Sequence, residues 1–469
     1  MFNLRLYCSI FILCILFVAT SLFPHSGINH NSFAGVHLLA AARNINYTNF
    51  LAPYTWYISD NQYSLYNHHP PLFFLFFGLL SRLPLDKQSF LLLSRFLAAV
   101  IQCISCCVIY FSFVEFFRKF EYKPDYRYLL LASFTPLVSL SSYIYSGLTT
   151  TDLVSFPFAS ISVYLSLKYT KINKFICLFI VLCPLLSYPL TLLAFFFIVC
   201  FSVINRLRPL KVIGLLSLWV LGVLSFLIYH YTQTTLSHGL SSSPLLYRAV
   251  TNISASPERA DSFTSIFDLL YTLFKGFAFF IPLPIIVFSF IILIISIIRF
   301  RTFKNTLHLS PYLYKSISLF PVVLTPIFFT ALTPYWSAFH SFSWLMFIPF
   351  YSYIALILFI CLEKLFLQRN ISFILFIYLL CSSILFTLTA SLIVSAPNGF
   401  NQFLQSNSNK YISIETSPNY CSLDNVGMLA YFGSWPSSIL IHKDYNYPNK
   451  DLIPKDLLTP ISLCSEPIN

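Results

Sequence analysis

The stretch Ile281 to Ile298, IPLPIIVFSFIILIISII, is apolar except for two serines. A surface helix would keep a polar face, and a half-buried strand would alternate; this run does neither. As a helix its 18 residues reach about 27 Å at 1.5 Å per residue, close to the roughly 30 Å of bilayer hydrocarbon. Ten further apolar stretches flank it in sequence, so eleven crossings are expected, at about 6–24, 89–116, 128–147, 152–167, 175–187, 189–205, 212–230, 277–298, 313–330, 343–361 and 371–395. Strands of a membrane barrel would alternate apolar and polar residues, and none of these stretches does so.

Composition agrees. Of 469 residues 57% are apolar and 9% charged, against roughly 25% charged in a soluble domain. The net charge of +12 would suggest nucleic acid in a soluble protein, but its placement argues for a bilayer and against a nucleic-acid partner. Seventeen of the 28 cationic residues lie in short loops on the N-terminal side: Arg5, the Arg118–Arg127, Lys168–Lys174, Arg206–Lys211 and Arg299–Lys315 clusters, and Lys364 with Arg369. The positive-inside rule assigns that side to the cytoplasm. The polar segments His25 to Gln88, Tyr231 to Lys275 and Ala396 to Asn469 then face outward. The expected fold is an all-α polytopic membrane protein, N-terminus in and C-terminus out, with a small α+β or β-rich extracytoplasmic tail. Its parts are a transmembrane unit (1–395), with a first outer loop (25–88) carrying interfacial helices, and a tail domain (396–469).

Local features refine this frame. Tyr7 to Leu22 resembles a signal peptide but lacks a convincing small-residue cleavage site and reads as the first span. PLFFLFFGLLSRL (Pro71 to Leu83) is too short to cross and reads as an interfacial helix. The tail has four lysines against six carboxylates, and alternation at Tyr411–Ile414 and Ser438–His442 predicts strands packed against the outer loops. Ten of the 12 cysteines lie in or beside apolar spans; the one CxxC, Cys103 to Cys106, has no histidine or second pair near it and is no zinc-finger signature.

Residues able to carry chemistry gather on the outward side. YNHHPPL (Tyr66 to Leu72) holds His68 and His69 in an extended turn, because Pro70 and Pro71 exclude the helical region before them. They are catalytic candidates or simply wet interfacial histidines. Asp152, in SGLTTTDLVSFPF (Ser146 to Phe158), opens the fourth span. A carboxylate at the lip of an apolar helix marks function by default, though it could also cap the helix. His340, in AFHSFSWLMFIPF (Ala338 to Phe350), precedes the tenth span. Arg43, in ARN (Ala42 to Asn44), could hold a phosphate or snorkel, and follows an apolar-periodic stretch with His37. Asp60, beside Asn61, is the only carboxylate between His25 and Leu72 and serves equally as a turn residue. The histidines and Asp152 could bind a divalent metal, but their spacing is no ligand signature.

A long first outer loop ending in HHPPL, a following interfacial helix and an acidic residue opening the fourth span resemble the C-type integral-membrane glycosyltransferases. The resemblance is nearest to the bacterial protein mannosyltransferase and aminoarabinose transferase group and covers residues 1 to about 395. It implies transfer of a sugar from a polyprenyl-phosphate donor to a lipid, glycan or protein acceptor on the outer face, in envelope glycosylation at a bacterial inner membrane or at the endoplasmic reticulum if the source is eukaryotic. It implies Asp152, His69 and His68 as catalytic residues and, less directly, Arg43, His37 and His340 as substrate-binding ones; Asp60 is a further catalytic candidate on its own chemistry, and no cofactor is required, a divalent metal being possible. The sequence departs where the superfamily carries an Asp-Glu pair, with SFA (Ser32 to Ala34) instead. It departs again between the fifth and sixth spans, where Ser187 and Tyr188 replace a lysine. A non-catalytic lipid-sugar binding or transport-related protein on the same scaffold is the alternative. Paired ionisable residues at mid-membrane, expected of a secondary transporter, are missing.

The charge asymmetry makes a direct prediction. Topology reporters fused at Lys123 and Arg208 should report cytoplasm and a fusion at Asn469 the outside; cytoplasmic signal at Asn469 would break the count of eleven.

Overall fold

The computed structural model describes residues 2–22, 54–59, 62–65, 70–118, 124–147, 151–236, 265–298, 315–334, 341–366, 371–394, 412–416, 439–442 and 459–460, with a few single positions such as Leu39, Ala42, Thr149 and Ser337. Helices occupy every apolar stretch. They are α1 (Phe2–Ser21), α2 (Pro71–Leu80), α3 (Lys87–Phe117), α4 (Tyr126–Phe134), α5 (Leu140–Ile144), α6 (Ser155–Lys168), α7 (Lys174–Leu186), α8 (Tyr188–Ile204), α9 (Pro209–Leu236), α10 (Ile266–Phe279), α11 (Leu283–Ile298), α12 (Phe320–Leu332), α13 (Ile348–Phe366) and α14 (Ile371–Val394). Among the described residues three helices are long and apolar enough to cross a membrane, Ser89–Phe117, Pro209–Thr232 and Trp344–Leu362. The bent pair α10–α11 would make a fourth, and shorter apolar helices such as Tyr188–Ile204 stand beside them. The chain is an integral membrane protein.

The bundle is laid out inside-out relative to a soluble protein. Phe17, Phe113, Phe197, Phe201 and Phe359 are fully buried between helices, while Phe11, Ile104 and Ile228 project outward, as expected where lipid tails are the solvent. Helix α3 packs along α6, α1 against α14, α7 against α9, α8 against α12 and α13 against α4.

Two expected spans are not continuous. The first, 128–147, is broken into α4, a 3₁₀ turn (Thr135–Leu137) and the short α5. The cause is Pro136, which has no backbone N–H to extend the helix. Serines take over the freed groups: Ser142 Oγ donates to the Pro136 carbonyl at 2.8 Å, and Ser139 caps α5 by accepting from Ser142 N at 3.1 Å. The second, 277–298, bends by 91° between α10 and α11, at Pro282. Helix α10 therefore runs across the direction of α11. It exposes Phe267, Leu270, Tyr271 and Phe274 and buries Leu269, the pattern of a helix lying in a membrane interface.

Helix α2 starts where the double proline places it, with Pro70 as N-cap in an extended conformation and Pro71 in the first turn. Fixed φ and a missing N–H suit that position. Before it, strands β1 (Tyr54–Ser59) and β2 (Gln62–Leu65) form an antiparallel hairpin. The strands β3 (Ile412–Thr416), β4 (Ile439–His442) and β5 (Thr459–Pro460) come from the tail and overlap its two alternating stretches. All five join one sheet in the order β2-β1-β4-β3-β5, with β1 pairing β4 in parallel at Tyr57 and Ile439. The first outer loop and the tail thus share backbone hydrogen bonding.

Helices α9 and α7 come close at Gly222 of α9. A Cβ there would lie 2.8 Å from the Val181 carbonyl oxygen and 3.2 Å from Pro184 Cγ, on α7 where Pro184 sits within the helix. A Cβ at Gly214, two turns earlier, would meet nothing within 4 Å. Gly222→Ala should destabilise by about 1–3 kcal/mol through overpacking, whereas Gly214→Ala should be neutral or raise stability by up to about 1 kcal/mol through helix propensity. Thermal unfolding of both variants in the same detergent measures the contrast.

Candidate functional site

The two ends of the bundle differ in charge chemistry. At one end Glu115 of α3 accepts from Lys168 of α6 at 2.6 Å and from Arg118 at 3.3 Å. Lys315 Nζ, preceding α12, donates to the Glu115 carbonyl at 3.2 Å and lies over the Phe116 ring. Cations from three separate loops, all assigned to the cytoplasm from sequence, therefore meet at this end of α3, two on the Glu115 carboxylate and Lys315 on backbone carbonyls. Nearby, Asp125 caps α4 and pairs with Arg127. Burial pushes its carboxyl up, but hydrogen bonds from the Arg127 guanidinium and backbone N–H outweigh that and hold it below the usual range.

The opposite end carries a buried polar seam. Moving 20 residues back along α3 from Glu115 covers about 30 Å and reaches Arg95, only 6% exposed. Around it lie the buried Ser21 at the end of α1 and Ser146 and Thr149 after α5. Gly147 makes the closest approach: a Cβ there would sit 2.9 Å from Arg95 Nε and 3.0 Å from the Ser21 carbonyl. Two turns further along α3, buried Gln102 donates through Nε2 to the Tyr145 carbonyl (3.2 Å) and the Ser146 carbonyl (3.4 Å). These carbonyls are left free because α5 ends there. The seam is thus assembled where α1 stops and the broken third span ends.

Asp152 belongs to the same end. It lies in a 3₁₀ turn, Thr151–Val154, that leads into α6. The N-cap of α6 is Val154, which makes no side-chain cap bond. The turn packs against a second 3₁₀ turn, Ser341–Phe347, which directly follows His340 in sequence. The structure therefore brings together the backbone segments that present Asp152 and follow His340. The side chain of Asp152, and His37, Arg43, Asp60, His68, His69 and His340 in full, lie outside the described residues. Their neighbours are informative. Leu39 and Ala42, three residues apart before Arg43, are helical and completely buried, Ser59 and Gln62 pair on either side of Asp60–Asn61, and Pro70 follows His69 as the helix N-cap.

Sequence reasoning overlooked Arg95. The signal was present as a single arginine eight residues into an otherwise apolar helix, QSFLLLSRFLAAV (Gln88 to Val100), and a charge inside a span is a functional marker by default. Ser187, where the superfamily lysine is missing, is a buried N-cap without a side-chain cap bond. Among the described residues no group of three or more His, Cys, Asp or Glu is placed to hold a metal.

A multi-helix membrane bundle with a polar seam at one end and a loop–tail sheet is also the fold of a solved membrane protein. The crystal structure of ArnT from Cupriavidus metallidurans bound to undecaprenyl phosphate matches it over 97% of this chain and 89% of that one, with a TM-score of 0.54 and 9% identity. The apo structure of the same protein matches over 98% and 89%, with a TM-score of 0.49 and 10% identity. No protein-family model matches the sequence, and no curated protein is detectably similar to it.

Proposed function

We propose that this chain is a multi-pass membrane glycosyltransferase that moves a sugar from a polyprenyl-phosphate donor to an acceptor on the outer face. The observation that carries the reading is a fold shared over 97% of its length with a structure that holds undecaprenyl phosphate. The eleven-crossing topology belongs to this proposal, with residues 396–469 as an extracytoplasmic tail unit. So does placement in a bacterial inner membrane, or in the endoplasmic reticulum for a eukaryotic source. The meeting of Arg118, Lys168 and Lys315 at one end supports it, because it leaves Asp152 at the other.

The chemistry follows from the donor. An acceptor hydroxyl oxygen attacks the anomeric carbon and the bond from that carbon to the phosphate oxygen breaks. The polyprenyl phosphate leaves with the electron pair, and a base takes the hydroxyl proton. Phosphate is already a good leaving group, so the site chiefly needs donors at the phosphate and a base at the acceptor. Asp152 is ranked first as base, with Asp60 or a neutral histidine behind it. His68, His69 and Arg43 suit the phosphate, and His37 and His340 the substrate rim. The absence of carboxylates at Ser32 to Ala34 favours a second reading, a non-catalytic protein that binds the lipid-sugar.

Losing a general base costs about 10² to 10⁴ in rate. Asp152→Asn and His69→Ala should each abolish transfer from undecaprenyl-phosphate sugars while membrane insertion is kept, and Asp60→Asn should act less. Near-normal transfer by Asp152→Asn would remove it as base; an unaltered protein that binds the lipid but never transfers would install the second reading.

A further inference from the structure

Arg95 is a full charge buried within the bundle, 6% exposed, some 12 Å along α3 from its start at Lys87. Such a charge is strongly destabilising unless paired. The ion pairs of the described residues are Glu115 with Arg118 and with Lys168, and Asp125 with Arg127; none involves Arg95. Ser94 Oγ donates to the Phe90 carbonyl at 2.8 Å and Ser21 Oγ to the Val18 carbonyl at 2.6 Å, while Gln102 donates through Nε2 to the carbonyls after α5 and leaves its buried Oε1 without a partner among the described residues. Gly147 packs closely against the Arg95 side chain, so that a Cβ there would lie 2.9 Å from Nε and crowd it. A buried arginine with no carboxylate partner among the described residues is a receptor for an anion that arrives from outside the chain.

We propose that Arg95 holds the phosphate of the bound ligand, acting as a substrate-binding residue at the outer end of the bundle. The fork of guanidinium N–H groups matches a phosphate's oxygens, and the site's depth suits a phosphate carried at the end of a membrane-embedded chain. The shared chemistry is a phosphate oxyanion, whether on a polyprenyl lipid or free. The assignment rests on the lipid-phosphate reading for its natural ligand but not for its charge argument.

The test uses the full-length protein in detergent, with undecaprenyl phosphate and inorganic phosphate as separate probes of binding by native mass spectrometry and ligand-induced thermal shift. The unaltered protein should bind undecaprenyl phosphate. Arg95→Met should weaken that binding by roughly 30-fold or more, while Arg95→Lys should fall between the two. Gly147→Ala should also weaken it, since it keeps the charge but crowds the guanidinium. Without ligand, Arg95→Met should melt no lower than the unaltered protein, because removing an unpaired buried charge relieves strain. Binding of undecaprenyl phosphate by Arg95→Met at the unaltered affinity would overturn the proposal and leave the lipid-phosphate reading standing, and so would a clear loss of ligand-free stability, which would make Arg95 a structural partner. Arg95-dependent binding of inorganic phosphate alone would keep the anion site and overturn the lipid reading; binding of neither probe would overturn both.

Discussion

In hydrocarbon no water is present to bond a free backbone N–H or carbonyl, so each break in a helix must be answered by another group of the same chain. Most of what is distinctive in this protein follows from that constraint. Pro136 ends α4, and Ser142 accepts the task of bonding its carbonyl. Helix α5 ends at Ile144, and Gln102 reaches from α3 to the Tyr145 and Ser146 carbonyls. Polar side chains therefore enter the bundle where its backbone breaks, and the breaks collect at the end opposite Glu115. The buried polar seam grows out of the same local repairs.

Much of the fold was legible because its signals are one-dimensional. Apolar length located the helices, and the double proline set the start of α2 at Pro71. Short-range alternation marked the two main tail strands. What escaped depended on how far a local interruption is tolerated. Pro136, Pro184, Pro282 and Pro326 all lie in apolar stretches. Helices run through Pro184 and Pro326, whereas Pro136 and Pro282 stand at breaks. Pro136 has serines beside it that can bond the freed carbonyl, and Pro282 is followed two residues later by Pro284, so a second donor is missing from the first turn of α11. The parallel pairing of β1 with β4 joins residues some 380 positions apart, and no local pattern announces that.

The site was legible in part. The acidic turn and the segment after His340 converge. The motif side chains of the first loop contributed only through their neighbours, such as buried Leu39 and Ala42. Arg95 was hidden for the opposite reason: one charge does not spoil the hydropathy of a 29-residue span, so a reading tuned to apolar length passes over it. Its burial and the close approach of Gly147 are three-dimensional facts, obtained only when α1, α3 and the end of α5 are put side by side.

Charge also decides what a buried cation could contribute to transfer. A sugar-bound polyprenyl phosphate is a diester with one negative charge, and the departing polyprenyl phosphate is a monoester approaching two. A cation fixed beside that phosphate interacts more strongly with the second state than with the first, which is the condition for lowering a barrier rather than only tightening binding. The effect is larger where water is excluded, and Arg95 lies in such a place. With no carboxylates at Ser32 to Ala34, the first loop adds little negative charge to oppose it. On the lipid-phosphate reading, the same balance that favours departure also favours retention of the phosphate product, so its release becomes the step that a weaker cation at position 95 would speed.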